Sequence, residues 1–243
     1  MGLADRLRLA RLFLITDART EAGDLVKFVD AAFAGGVDML RLRADGLDGK
    51  DLRGVLEKVR DVAFRYQGLV VVDEELDVAQ EFGADLMHLG QAGGESAKAR
   101  KYLHEWALIG RSAHSQAQVD AAISDPDINY FTVGPVYATT PDPEYPAPGL
   151  DLVGYAARVA PPSDPKSKPW FAVGNITAEV LDDVLAAGAR RVAVVGAITR
   201  ASDPQAAARS LKDRLKAAWD ADPGMERLVF SSFSAGTGFI AGQ

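Results

Sequence analysis

The chain contains no cysteine. Disulfides, thiolate metal sites and thiol nucleophiles are thereby excluded, and a reducing, cytoplasmic setting is the expected one. A long apolar run is missing as well: nothing approaches the roughly 18 consecutive apolar residues of a membrane-spanning helix. The opening stretch MGLADRLRLA has no basic segment followed by a continuous apolar one, so neither a secretory leader nor a membrane partner is expected. An excess of positive charge is also lacking. The net charge is −7, and the lysines and arginines are scattered rather than gathered, which argues against nucleic acid as a partner.

What the chain does contain is a repeat. A short apolar run followed by a polar helical stretch recurs eight times. The runs are Leu12–Asp17, Met39–Arg43, Leu69–Asp73, Leu86–Gly90, Leu108–Ser112, Phe131–Gly134, Trp170–Gly174 and Val192–Gly196. They are rich in Val, Leu, Ile and Phe without clean alternation, as in parallel strands covered on both faces. Asp24, Asp48, Ser115, Thr177 and Asp203 stand where helix N-caps belong, with Pro204 at a first helical position. Eight β-α units in 243 residues predict one α/β domain, a single (β/α)8 TIM barrel over residues 1–219. Residues 220–243 lack periodicity and read as a weakly ordered tail. The proline-rich stretch Tyr137–Gly149 is too long for a simple connection and is expected to be a ligand loop.

In such a barrel the C-terminal strand ends build the active site. Gly134, Gly174 and Gly196 follow runs six, seven and eight, where exposed backbone N–H groups commonly bind phosphate. Each glycine also reads as a plain turn residue. His114 follows run five, and a histidine there can move protons; the alternative is a helix-entry residue bonded to a loop. His88 lies within run four and reads as buried, and His104 as solvated. Arg41 and Arg43 share one side-chain parity, so both face either the barrel mouth or a carboxylate such as Asp73 or Asp17. Asp73 ends run three. It suits either a cation or the start of a helix.

Several of these segments are similar to the thiamine-phosphate synthase/TenI family. The resemblance runs from about Arg11 to Trp219. It is carried by Leu12-Phe13-Leu14-Ile15-Thr16-Asp17, Gly83-Ala84-Asp85-Leu86-Met87-His88-Leu89-Gly90-Gln91, Ile109-Gly110-Arg111-Ser112-Ala113-His114 and Val133-Gly134-Pro135. The resemblance implies a substrate that is a phosphorylated thiazole. It also implies a synthase reaction in which Mg²⁺ and cations draw pyrophosphate from a pyrimidine and the thiazole nitrogen captures the cation left behind.

The family's charge clamp is altered in this chain. Gln-x-Arg-x-Lys reads Arg41-Leu42-Arg43-Ala44-Asp45. Asn-Asp-Arg reads Val72-Asp73-Glu74, which leaves Asp73 as the metal ligand. The second acidic ligand is Gly93, and Thr-x-Thr-Lys reads Thr139-Thr140-Pro141-Asp142. Aspartate in place of lysine beside a polyanion is unfavourable.

The thiazole-phosphate half is better kept, in Gly134, Thr139, Gly174, Asn175 and the Val195-Gly196 turn. Asn175 tolerates the left-handed backbone that a glycine would supply. The leading expectation is therefore a TenI-like thiazole tautomerase needing no cofactor, with His114 moving the proton and Arg41 or Arg43 holding the substrate carboxylate. Two alternatives stand beside it: a divergent thiamine-phosphate synthase using Mg²⁺ at Asp73, and a non-catalytic thiazole-phosphate-binding protein. The sequence leaves a homo-oligomer open.

Overall fold

The apolar runs become strands almost residue for residue. In the computed structural model, which describes residues 2–43, 46–90, 94–138 and 147–234, the strands are β1 (Leu12–Asp17), β2 (Met39–Arg43), β3 (Leu69–Asp73), β4 (Leu86–Leu89), β5 (Leu108–Ala113), β6 (Tyr130–Val133), β7 (Trp170–Val173) and β8 (Val192–Val194). All are parallel. They follow one another around a closed barrel, and β8 returns to β1 through the pairs Leu12–Val192 and Leu14–Val194. The expected TIM barrel is the observed fold.

The helices are α1 (Leu3–Leu9), α2 (Leu25–Ala34), α3 (Gly49–Arg65), α4 (Leu76–Phe82), α5 (Ser96–Tyr102), α6 (Gln116–Ser124), α7 (Gly149–Val159), α8 (Leu181–Ala186), α9 (Gly196–Thr199), α10 (Pro204–Asp220) and α11 (Pro223–Ser234). Asp48, Ser115 and Asp203 cap α3, α6 and α10 as expected, each accepting a backbone N–H from three residues on. Asp24 precedes α2 without capping it, because its carboxylate is taken by Arg19. Thr177 caps no helix. The chain turns once more before α8 begins at Leu181, and the Thr177 side chain bonds Glu179 instead.

Strand parity separates two cores. Leu12, Leu14, Leu40, Leu42, Val70 and Val72 point outward and pack with the helices. Phe13, Met39, Val71, Leu86, Tyr130 and Phe171 point inward and fill the barrel. Edge-to-face contacts of Phe13 with Phe171 (5.4 Å) and Tyr130 (6.4 Å) close its centre.

Against the expectation of a weakly ordered tail over residues 220–243, the described part, to residue 234, is largely helical. Residues 223–234 form α11, whose Met225 and Leu228 are buried against Trp219 and Leu9. Two apolar anchors three residues apart make too short a pattern to stand out in the sequence, yet Trp219 gives them a surface to cover. Residues 235–243 lie outside the described residues. Among the described residues, no helix is long and apolar enough to cross a membrane.

Candidate active site

Period-two alternation carries each strand one step above the apolar barrel centre, and there the inward residues turn polar. Met39 leads to Arg41, Val71 to Asp73, Leu86 to His88, Gly110 to Ser112 and Tyr130 to Thr132. The register sets Asp73 beside His88 and Ser112 beside Thr132. These residues form the floor of the mouth at the C-terminal end of the barrel.

Arg41 pairs with Asp73, and both side chains are largely buried, at 12% and 17% exposure. Of the two carboxylates the sequence offered, the structure therefore selects Asp73. Burial pushes the Asp73 carboxyl above its ordinary range even though the Arg41 charge pulls the other way. The ion pair lacks hydrogen-bond alignment at Asp73 Oδ1, and Arg41 Nε has no acceptor among the described residues. Arg43 ends β2 two residues further out, is exposed, and also lowers the Asp73 carboxyl through its charge.

His88 is completely buried, as expected. Its Nε2 lies 3.0 Å from Ser112 Oγ and its Nδ1 lies 3.3 Å from Tyr130 Oη. The Thr132 hydroxyl extends the chain to Ser112 at 3.4 Å. Burial, aided by the nearby Arg41 charge, holds His88 well below the ordinary imidazole range, so the ring is neutral. Ser112 and Thr132 were not singled out in the sequence. The signal was present, since each stands two residues beyond an inward-facing position, but it becomes readable only when the strand's inward face is known.

His114 sits past β5 on the exposed rim. Its Nδ1 donates to the Gly134 carbonyl at 2.6 Å and its backbone N–H donates to Gln118 Oε1 at 2.6 Å. A carbonyl can only accept, so Nδ1 carries a proton and Nε2 is the ring nitrogen left facing away from Gly134. This joins the loop after β5 to the turn after β6.

The turns after β6, β7 and β8 lie side by side. The N–H of Val136 donates to the Val173 carbonyl at 2.8 Å, and that of Tyr137 to the Gly174 carbonyl at 3.2 Å. Gly174 (φ +111°) and Asn175 (φ +46°) both have left-handed backbone, so Asn175 does take the conformation expected of it. Its side-chain amide donates to the Ala138 carbonyl. Val195 is half exposed and precedes Gly196, which opens α9. Thr139, Asp45, Gly93 and Asp142 lie outside the described residues.

The fit of the site to Mg²⁺ can be judged from its donors. A magnesium ion takes several oxygens in octahedral array. Asp73 is paired with Arg41, and Glu74 Oε1 accepts the Gly90 N–H at 2.7 Å. Among the described residues no three carboxylates or imidazoles converge. Among the described residues, Asp73 is the one carboxylate of this floor and it is paired with Arg41, so the described donors do not complete an octahedral magnesium set.

Comparison with known proteins agrees with the fold and narrows the class. The thiamine monophosphate synthase family profile matches residues 12–198. A thiamine-phosphate synthase of Thermobifida fusca is 47% identical over 216 residues, covering 89% of this chain and 97% of its own length. The thiamine-phosphate synthase of Mycobacterium leprae is 45% identical over 227 residues, covering 88% and 94%. Among solved structures, a thiamine phosphate pyrophosphorylase from Pyrococcus furiosus superposes with a TM-score of 0.76 at 23% identity, over 89% of this chain and 99% of that one, and this likeness bears on the fold.

Proposed function

The chain belongs to the thiamine monophosphate synthase family, and from that membership we propose that it is a divergent thiamine-phosphate synthase acting on thiazole phosphate. In the condensation, a carbon–nitrogen bond forms between the pyrimidine methylene carbon and the thiazole ring nitrogen. The carbon–oxygen bond to pyrophosphate breaks, and pyrophosphate leaves with the bonding electrons. The observation that carries this reading is the name shared by relatives 45–47% identical over almost their whole length. It reverses the order expected from the altered clamp, which had put the tautomerase first.

The residues of this chain supply three things. Arg41, paired with Asp73, and Arg43 place guanidinium groups at the β2 end of the mouth. The turns at Gly174–Asn175 and Val195–Gly196 offer backbone to a phosphate. Neutral His88, Ser112 and Thr132 line the floor with hydrogen-bonding groups that add no charge. Among the described residues no cluster completes a metal site at Asp73, whose carboxylate is paired with Arg41.

A second reading, the thiazole tautomerase, is favoured by one observation. His114 donates through Nδ1 to Gly134, which holds the ring at the rim with Nε2 free of that contact. The experiment that separates the two gives the purified protein thiazole phosphate and hydroxymethylpyrimidine pyrophosphate, with and without Mg²⁺, and measures pyrophosphate and thiamine phosphate. Formation of both products supports the condensation. Absence of both, together with chelator-resistant, His114-dependent aromatisation of a carboxythiazole phosphate, supports the tautomerase. Binding without turnover in either assay leaves a binding protein.

A further inference from the structure

Of the three strand-end glycines, two have a backbone reason to be glycine. A Cβ on Gly134 would overlap the Val173 carbonyl oxygen, and one on Gly174 would lie 2.6 Å from Pro135 Cα. Both are where the β6 and β7 turns cross. Gly196 is different. The three atoms nearest to a Cβ there all belong to the Arg200 guanidinium, with Cζ at 2.6 Å and Nε at 2.7 Å. Arg200 lies four residues on, just past the end of α9. Side chains on a helix lean toward its N-terminus, so the guanidinium reaches back over the Gly196 backbone. Among the described residues Arg200 has no ion-pair partner, and it is exposed. The other arginine of this corner, Arg19, is neutralised by Asp24 and donates to the Thr199 carbonyl.

The position is significant for a barrel. Val173 pairs with Ala193, so the β7 and β8 ends are neighbours. Phosphate sites in this fold commonly form after strands seven and eight beside a short extra helix. A guanidinium presents a planar fork matched to phosphate oxygens. We propose that Arg200 is a phosphate-binding residue for the substrate of this chain, and that residue 196 is glycine so that the guanidinium can lie against the β8 turn. The inference rests on the reading that the substrate carries a phosphate, and it adds a side-chain cation to the backbone groups of that corner.

The test compares thiazole phosphate with its unphosphorylated alcohol by calorimetric titration. The proteins are the wild type, Arg200→Gln, Arg200→Lys and Gly196→Ala, each first checked for wild-type circular dichroism and Tm. The wild type should prefer the phosphate ester. Arg200→Gln should weaken that ligand by about ten- to hundredfold and leave the alcohol unchanged. Arg200→Lys should recover part of the loss. Gly196→Ala should fall between the wild type and Arg200→Gln, because its methyl group shifts the guanidinium but leaves its charge beside the turn. If Arg200→Gln binds the phosphate ester like the wild type, the Arg200 proposal is overturned and the functional reading survives. If the wild type fails to distinguish ester from alcohol, both fall.

Discussion

Arg41 on β2 and Asp73 on β3 form an ion pair within the barrel mouth, with both side chains more than four-fifths buried. The arrangement keeps a guanidinium at the site but commits Asp73 to it. It also combines two opposing effects, because removing each charge from water costs more the deeper the pair sits.

Breaking the pair from one side should cost more than removing it. Asp73→Leu leaves the Arg41 charge buried and should destabilise by about 3 kcal/mol, whereas Arg41→Met/Asp73→Leu should fall within about 1 kcal/mol of the wild type or above it. Urea unfolding of the two single variants and the double variant gives the coupling. Equal losses in Asp73→Leu and the double variant would show that the pair is not coupled in this way.

The buried, neutral His88 predicts an acid-sensitive fold. Its ordinary range near pH 6.5 applies in the unfolded chain, while burial holds the folded value well below that. The unfolded state therefore binds the proton first. Stability should be full above about pH 6.5 and fall as the pH drops, by up to about 1.4 kcal/mol per pH unit. Chemical denaturation from pH 7.5 to 5 should show this slope in the wild type and a shallower one in His88→Gln. Parallel curves would refute the assignment.

At the opposite end of the barrel, Asp38 accepts the N–H groups of Arg11 (2.7 Å) and Leu12 (2.9 Å) and pairs with Lys212 of α10. Burial lowers the Lys212 ammonium from its ordinary range despite this partner. Asp38→Ala strands two backbone donors and a half-buried cation. It should destabilise by roughly 2–4 kcal/mol without changing ligand affinity, because it lies away from the mouth. A change in thiazole-phosphate affinity in a folded Asp38→Ala protein would count against this separation.

Helix α11 should be part of the stable unit. Trp219 donates from its indole nitrogen to the Arg190 carbonyl at 2.6 Å, and the Arg11 guanidinium stacks on its ring at 4.3 Å. Trp219→Ala should cost about 3–5 kcal/mol. Ending the chain after Asp222 should uncover Trp219 and lower Tm by several degrees. A truncated protein with unchanged Tm would restore the picture of a weakly ordered tail.

The sequence by itself determined the repeat and hence the barrel. Eight buried strands need continuous apolar runs, and the bounds of β1, β2 and β3 match theirs because polar residues end them abruptly. It also determined the left-handed turn at Asn175 and the burial of His88, both local consequences of residue type and strand position. Tertiary structure decided what the polar strand ends face. Whether Arg41 meets Asp17 or Asp73 depends on barrel closure and side-chain reach, which no local pattern encodes. Ser112 and Thr132 became floor residues only once the inward parity of β5 and β6 was set. Gly196 looked like Gly134 and Gly174 in the sequence. It parts from them because its neighbour in space is the Arg200 guanidinium and theirs is backbone.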